Sequence, residues 1–124
     1  MHRVAGIGGF FFKANDPDRL SRWYAEHFGV TAPPDSYDEP VWTQSAGETV
    51  FAPFGPEHAD SPHLGSSGWG INFRVDDLEV MVHQLRTAGI EVEVDAEVYP
   101  NGRFAQLADP EGNAVQLWEP SGSS

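Results

Sequence analysis

The strongest constraint in this 124-residue chain is a pattern written twice. The stretch from Phe12-Lys13-Ala14-Asn15-Asp16 to Phe28-Gly29-Val30 has a counterpart running from Phe73-Arg74-Val75-Asp76-Asp77 to Ala88-Gly89-Ile90, one residue shorter in the second copy. Each copy reads as a strand, a helix cap, an amphipathic helix and a glycine stop. In the first, Asp16 is placed to accept from the free amides of the opening turn and Pro17 suits that turn; Leu20, Trp23, Tyr24 and Phe28 then recur at helical spacing before Gly29. In the second, Asp76 or Asp77 caps, Leu78, Met81, Val82 and Leu85 form the apolar stripe, and Gly89 ends the helix. A helix with one apolar stripe has to bury it on another element, and the flanking strands supply that element.

The later part of each half repeats as well. Gly47-Glu48-Thr49-Val50-Phe51-Ala52 aligns with Gly112-Asn113-Ala114-Val115-Gln116-Leu117, each after a shorter apolar stretch near Trp42 or Phe104, and both read as hairpins. Asp109-Pro110-Glu111-Gly112-Asn113 is a turn on chemical grounds, because proline presets the first turn angle and glycine accepts a positive φ. These patterns give one α+β domain over residues 1–124, made of two βαβββ modules at about 4–54 and 69–120. Residues 55–68, rich in Gly, Pro, Ser, His and Asp without periodicity, form the linker, and Ser121-Gly122-Ser123-Ser124 is expected to fray.

Alternate side chains of a strand point to opposite faces. Phe10, Phe12, Val50, Ala52, Ile71, Phe73, Val75, Val115 and Leu117 therefore form an apolar face toward the helices. The opposite face takes Gly9, Phe11 and Lys13, Thr49, Phe51 and Pro53, Gly70, Asn72 and Arg74, and Ala114, Gln116 and Trp118. That mixture of small, polar, charged and aromatic residues suits a half-wet concave cavity.

Composition excludes several function classes. With no cysteine there is no disulfide, thiolate metal site or cysteine nucleophile. Nineteen acids against seven bases give a net charge of −12, which repels nucleic acid and anionic lipid, so neither is an expected partner. No apolar run is long enough to cross a bilayer, and the opening Met1-His2-Arg3-Val4-Ala5-Gly6 lacks a secretory pattern, so a cytoplasmic location is expected. Gly6-Ile7-Gly8-Gly9 precedes strand residues and not a helix, so it is no phosphate-cradling loop. Ser66-Ser67-Gly68 lacks the strand–turn–helix setting of a nucleophile elbow.

The duplicated modules, the strand leading into Asp16-Pro17-Asp18-Arg19-Leu20-Ser21-Arg22-Trp23-Tyr24, and the closing Asp109 to Glu119 stretch together resemble the vicinal oxygen chelate superfamily over roughly residues 4–120. This superfamily includes glyoxalase I, extradiol dioxygenases, methylmalonyl-CoA epimerase and the bleomycin and fosfomycin resistance proteins. The resemblance implies a curved mixed sheet around a cavity, often completed across a homodimer. It says little about reaction, because one fold hosts many functions. Metal-dependent members place ligands on the first and last strand of each half; carried over by motif, these positions are Gly9, Phe51, Gly70 and Gln116. Two glycines, a phenylalanine and one neutral amide are a poor hold on a divalent ion, so no metal and no cofactor are expected.

Ligand-binding candidates are then Phe11, Lys13, Trp42, Phe51, Asn72, Arg74, Gln116 and Trp118. Lys13 and Arg74 occupy matching positions and suit a ligand carboxylate or phosphate, as the basic residue at the Lys13 position does in glyoxalase-like relatives. They equally suit neutralising Asp16 and Asp76 or Asp77. Asn72 and Gln116 can orient a ligand by hydrogen bonds, with Gly9 and Gly70 leaving room, or satisfy neighbouring backbone. Phe11, Trp42, Phe51 and Trp118 can line an aromatic cage or fill a core. His2 is terminal, His27 and His83 fall on helices, and His58 and His63 lie in the linker without a rigid strand to fix them on a metal.

The expectation is a metal-free protein that binds a small organic molecule, with whether it catalyses anything left open. The alternative is a lyase or isomerase of glyoxalase-like type with a non-standard or metal-free site, for which Glu48, Glu119 and the linker histidines are the available groups. A dimerising scaffold with an unused cavity is a third reading.

Overall fold

The computed structural model describes residues 1–121. Its elements in chain order are α1 (Pro17–Phe28), a single 3-10 turn at Pro56–His58, β1 (Gly70–Arg74), α2 (Leu78–Thr87), β2 (Glu93–Val94), β3 (Gly102–Ala108) and β4 (Ala114–Pro120). The fold is α+β, with one mixed sheet in the order β1-β4-β3-β2. Strand β1 runs parallel to β4, and the β4–β3 and β3–β2 pairs are antiparallel. Residues 70–120 thus form a βαβββ unit.

Both helices start and stop for local reasons. Asp16 accepts from the Arg19 amide at 3.2 Å and Asp77, the capping member of its pair, from the Val80 amide at 3.1 Å. Gly29 ends α1 in the left-handed region, where a side chain would be strained. Both helices lie on one face of the sheet. Leu78, Val82 and Leu85 of α2 pack with Val92, Ala105 and Leu117, while Leu20 and Tyr24 of α1 pack with Val115. Ile71, Phe73 and Val75 join these clusters, so alternation in β1 and β4 sorts side chains to the helix side as the period-2 pattern requires.

The first half differs from its repeat. Only α1 forms there; the segments before and after it carry no strand, and the expected hairpin around 47–52 is extended chain outside the sheet. Phe10, Phe12 and Val50, expected toward the helices, are 48%, 39% and 75% exposed. Phe10 and Phe12 rest on Trp69 instead, with ring centroids 5.1 and 4.7 Å away. Alternation assigns a face only when a neighbouring strand fixes the register, and no strand is paired with these segments. Of the expected tail, Ser121 is tied by its amide to the Asn101 carbonyl at 3.3 Å, and residues 122–124 lie outside the described residues.

Candidate functional site

With both helices on one face, the opposite face of the sheet is the surface left for a ligand. Strand pairing lays its side chains out in rows, because directly opposed residues project to the same side. One row is Gly70, Ala114 and Ala108. The next is Asn72, Gln116, Gln106 and Glu93, one from each strand. The third is Arg74, Trp118 and Phe104.

The amide row is tied across strands: Asn72 Nδ2 donates to Gln116 Oε1 at 2.7 Å. The small row is not open floor. A Cβ on Gly70 would run into the His63 carbonyl oxygen, and one on Gly65 would come within 3.0 Å of the Ala114 amide nitrogen, so the 63–65 backbone lies over this row. The glycine at 70 admits the chain's own backbone and does not leave ligand room. In the third row, Trp118 is buried, its indole N–H donates to the Asn101 carbonyl at 2.8 Å, and its ring lies parallel to Phe104 at 6.2 Å. Tyr99 adds an edge contact to Phe104 at 5.8 Å, and its hydrogen bond to Asp95 raises its pKa above the ordinary tyrosine value. The amide row therefore lies between the small row, over which the 63–65 backbone passes, and the row of Arg74, Trp118 and Phe104.

Asn72, Arg74, Gln116 and Trp118 come together on this face. Arg74 reaches into the first half, where its Nη2 donates to the Ser45 carbonyl at 3.0 Å, with its guanidinium over Gly47. Neither Arg74 nor Lys13 forms an ion pair with Asp16, Asp76 or Asp77 among the described residues. Phe11 and Phe51 are 93% and 86% exposed, Lys13 is also exposed, and the Phe11 ring folds back toward Gly9. Trp42 stands against Phe73, a helix-side residue, at 6.5 Å. Sequence reasoning missed Gln106 and Phe104. The signal was the alternation of β3, where Ala105 and Leu107 are apolar and Phe104, Gln106 and Ala108 take the other parity.

Among the described residues, the buried carboxylate lies elsewhere. Asp109 is 4% exposed and accepts from Tyr24 Oη at 2.7 Å, Asn113 Nδ2 at 2.8 Å, and the Glu111 and Asn113 amides at 2.9 and 3.0 Å. These bonds hold the 109–113 turn, in which Gly112 takes the positive φ of 80°. Burial and then Asp109 push the Tyr24 phenol far above its ordinary pKa. Glu111 crosses to accept from the Asn15 and Asp16 amides at 2.7 and 2.9 Å. The cleft beside them, lined by Arg19, Leu20 and Pro110, is therefore already served by the chain's own carboxylate.

A divalent metal does not fit the four positions the superfamily uses. Gly9 and Gly70 carry no side-chain donor, Phe51 is an exposed hydrocarbon, and the Gln116 oxygen already accepts from Asn72. Among the described residues no three His, Asp or Glu side chains converge, the linker histidines included.

Residues 9–118 match the sequence profile of a family described as a glyoxalase-like domain. No curated protein matches the chain. Among solved structures, TnmS3, described as an antibiotic binding protein from Streptomyces sp. CB03234, superposes with a TM-score of 0.63 at 20% identity, covering 98% of this chain and 100% of that one. A glyoxalase/bleomycin resistance protein from the same organism is 32% identical over 40% of this chain and 43% of its own, with a TM-score of 0.37. A glyoxalase family protein from Enterococcus faecalis is 26% identical over 40% of each chain, with a TM-score of 0.36. The chain thus spans less than half the length of these last two relatives. The match from residue 9 to residue 118 takes in α1 and nearly the whole sheet, and on that ground the chain belongs to the glyoxalase-like domain family.

Proposed function

We propose that this protein binds a small organic molecule on the helix-free face of its sheet without a metal ion. The observation that carries the reading is the donor set: two glycines, a phenylalanine and an amide already engaged by Asn72 stand where metal-dependent relatives hold their ion. Asn72 and Gln116 supply neutral hydrogen-bonding groups, Arg74 a cation and Trp118 an aromatic wall. Phe11, Lys13, Trp42 and Phe51, from the first of two tandem modules, would complete the cavity with them. TnmS3 is described as an antibiotic binding protein, and binding is the activity proposed here.

The second element of the proposal is a homodimer. The chain exposes 9544 Å². A compact monomer of this mass exposes about 6,600 Å². The excess is on the order of 3,000 Å² per chain, or about 6,000 Å² over a pair, which is at the upper end of what an obligate homodimer hides in total. Much of the exposed apolar surface belongs to first-half residues such as Ile7, Phe11, Val41, Val50 and Phe51.

A thermal-shift screen against a broad metabolite and antibiotic library, run with and without EDTA, tests the binding reading. A ligand at about 100 times its Kd adds about 2.7 kcal/mol of stability. The expected result is hits that persist in EDTA. Hits that require added metal, or a stoichiometric transition metal in protein purified without chelator, would overturn the metal-free reading.

A further inference from the structure

Four candidates outside the residues already assigned bear on function. The buried Asp109 is consumed by the 109–113 turn and by Tyr24. The amides opening α1 are occupied by Glu111. His58 and His63 flank Phe54 and meet no third ligand among the described residues. The fourth is the far end of the amide row, and it carries an inference.

Gln106 extends the Asn72–Gln116 pair to a third strand, directly opposite both Gln116 and Glu93. Beside it, between β3 and the chain leading into β2, lies a concavity of about 430 Å³ bordered by Glu91, Val92, Glu93, Gln106, Leu107 and Ala108. This volume suits a small organic ligand. The chemistry is selective. A carboxamide offers a donor and an acceptor side by side, and the Gln106 side chain makes no hydrogen bond within the protein among the described residues, unlike those of Asn72 and Gln116. Glu91 and Glu93 on the rim disfavour an anion, while Val92 and Leu107 border the concavity from the helix side, where they belong to the core.

We infer that Gln106 is a ligand-selecting residue and that this concavity takes the edge of an uncharged, planar molecule carrying an adjacent hydrogen-bond donor and acceptor, of lactam or amide type. The inference rests on the binding reading above and assigns that site its ligand class. A lactam edge pairs with the Gln106 carboxamide through two antiparallel hydrogen bonds, N–H to oxygen in each direction. Gln106 is half-buried, so a ligand that covers it without an N–H leaves the glutamine oxygen with neither water nor a partner, and the cost of that covered acceptor gives the discrimination.

The experiment is an NMR titration of the full chain, following the Gln106 and Gln116 side-chain amide signals. The probes are quinolin-2-one, N-methylquinolin-2-one and quinoline-2-carboxylate. Quinolin-2-one is expected to move both signals, the N-methyl compound to bind at least about tenfold more weakly, and the carboxylate not to bind. Gln106→Leu is expected to bring quinolin-2-one down to the affinity of the N-methyl compound, and the comparison of probes on the unaltered chain stands even if that variant folds poorly. Equal binding of the lactam and its N-methyl derivative, preference for the carboxylate, unchanged affinity in Gln106→Leu, or binding of none of the three overturns the inference. A library hit that stabilises the protein without moving the Gln106 and Gln116 signals leaves the binding reading standing and removes this one.

Discussion

The two halves of the chain carry the same pattern in different states of packing. In residues 70–120 every strand has a partner, and Leu78, Leu85, Ala105 and Leu117 have no exposed surface. In the first half α1 is capped as well as α2, yet the chain on either side leaves Phe11, Val50 and Phe51 at 93%, 75% and 86% exposure. The turns account for much of the difference. Asp109 supplies four hydrogen bonds to its own turn and to Tyr24, and Gly112 closes it with a positive φ. At the aligned place in the first half stands Gln44, and Gly47 takes no positive φ. Pro33, Pro34, Pro40 and Pro53 further remove amide donors that a ladder would use. Helix α1 is held mainly by the other half: Tyr24 is bonded to Asp109, Glu111 binds the amides at its entrance, and Leu20 packs with Val115.

Leu117→Ala is expected to cost about 2–5 kcal/mol in urea unfolding, because it opens a cavity between both helices and the sheet. Phe51→Ala, measured at concentrations low enough for monomer, is expected to cost less than about 0.5 kcal/mol. Equal losses would erase the difference between the halves. Asp109→Ala strands the Tyr24 hydroxyl and the Asn113 amide, for an expected loss of about 3 kcal/mol. Hydrogen exchange should then show α1 losing protection before α2; loss in both together would mean that α1 is not held through this turn.

Tyr24→Phe is a smaller change, about 0.5–1.5 kcal/mol at neutral pH, since it removes one hydroxyl and its bond. Its sharper signature is alkaline. Folding raises the Tyr24 pKa above its unfolded value of 10.0, so this contribution is complete below pH 10 and declines as pH rises above it, while the unfolded chain gives up a proton that the folded chain keeps. Stability curves measured from pH 8 to 11 should fall less steeply for Tyr24→Phe than for the parent. Parallel curves would dissociate the phenol from the latch. The smallest effect belongs to Glu111→Gln, at or below about 1 kcal/mol, because its bonds to Asn15 and Asp16 are solvent-exposed. Amide exchange at the first turn of α1 is the measurement that detects it.

Much of this was legible in the sequence because it is local. Asp16, Pro17 and Gly29 mark α1, the second-half stripe marks α2, and alternation in β1 and β4 assigns Ile71, Phe73, Val115 and Leu117 to the helix side. What was not legible depends on contacts distant in sequence. The same alternation at Phe10, Phe12 and Val50 assigns no face without a paired strand. Gly70 reads as open space until the His63 carbonyl is seen against it, and Gln106 stays anonymous until the β3–β4 register sets it opposite Gln116. Asp109 reads as a turn residue; that its carboxylate also receives Tyr24, 85 positions away, is a tertiary fact.

Metal-free binding, a small organic ligand and a homodimer are the three properties proposed together. Native mass spectrometry of protein incubated with a hit from the library screen reads all three at once. The expected species has twice the chain mass plus ligand, with no added metal mass. A monomer carrying one transition metal, with ligand bound only to that metal-loaded species, would contradict it.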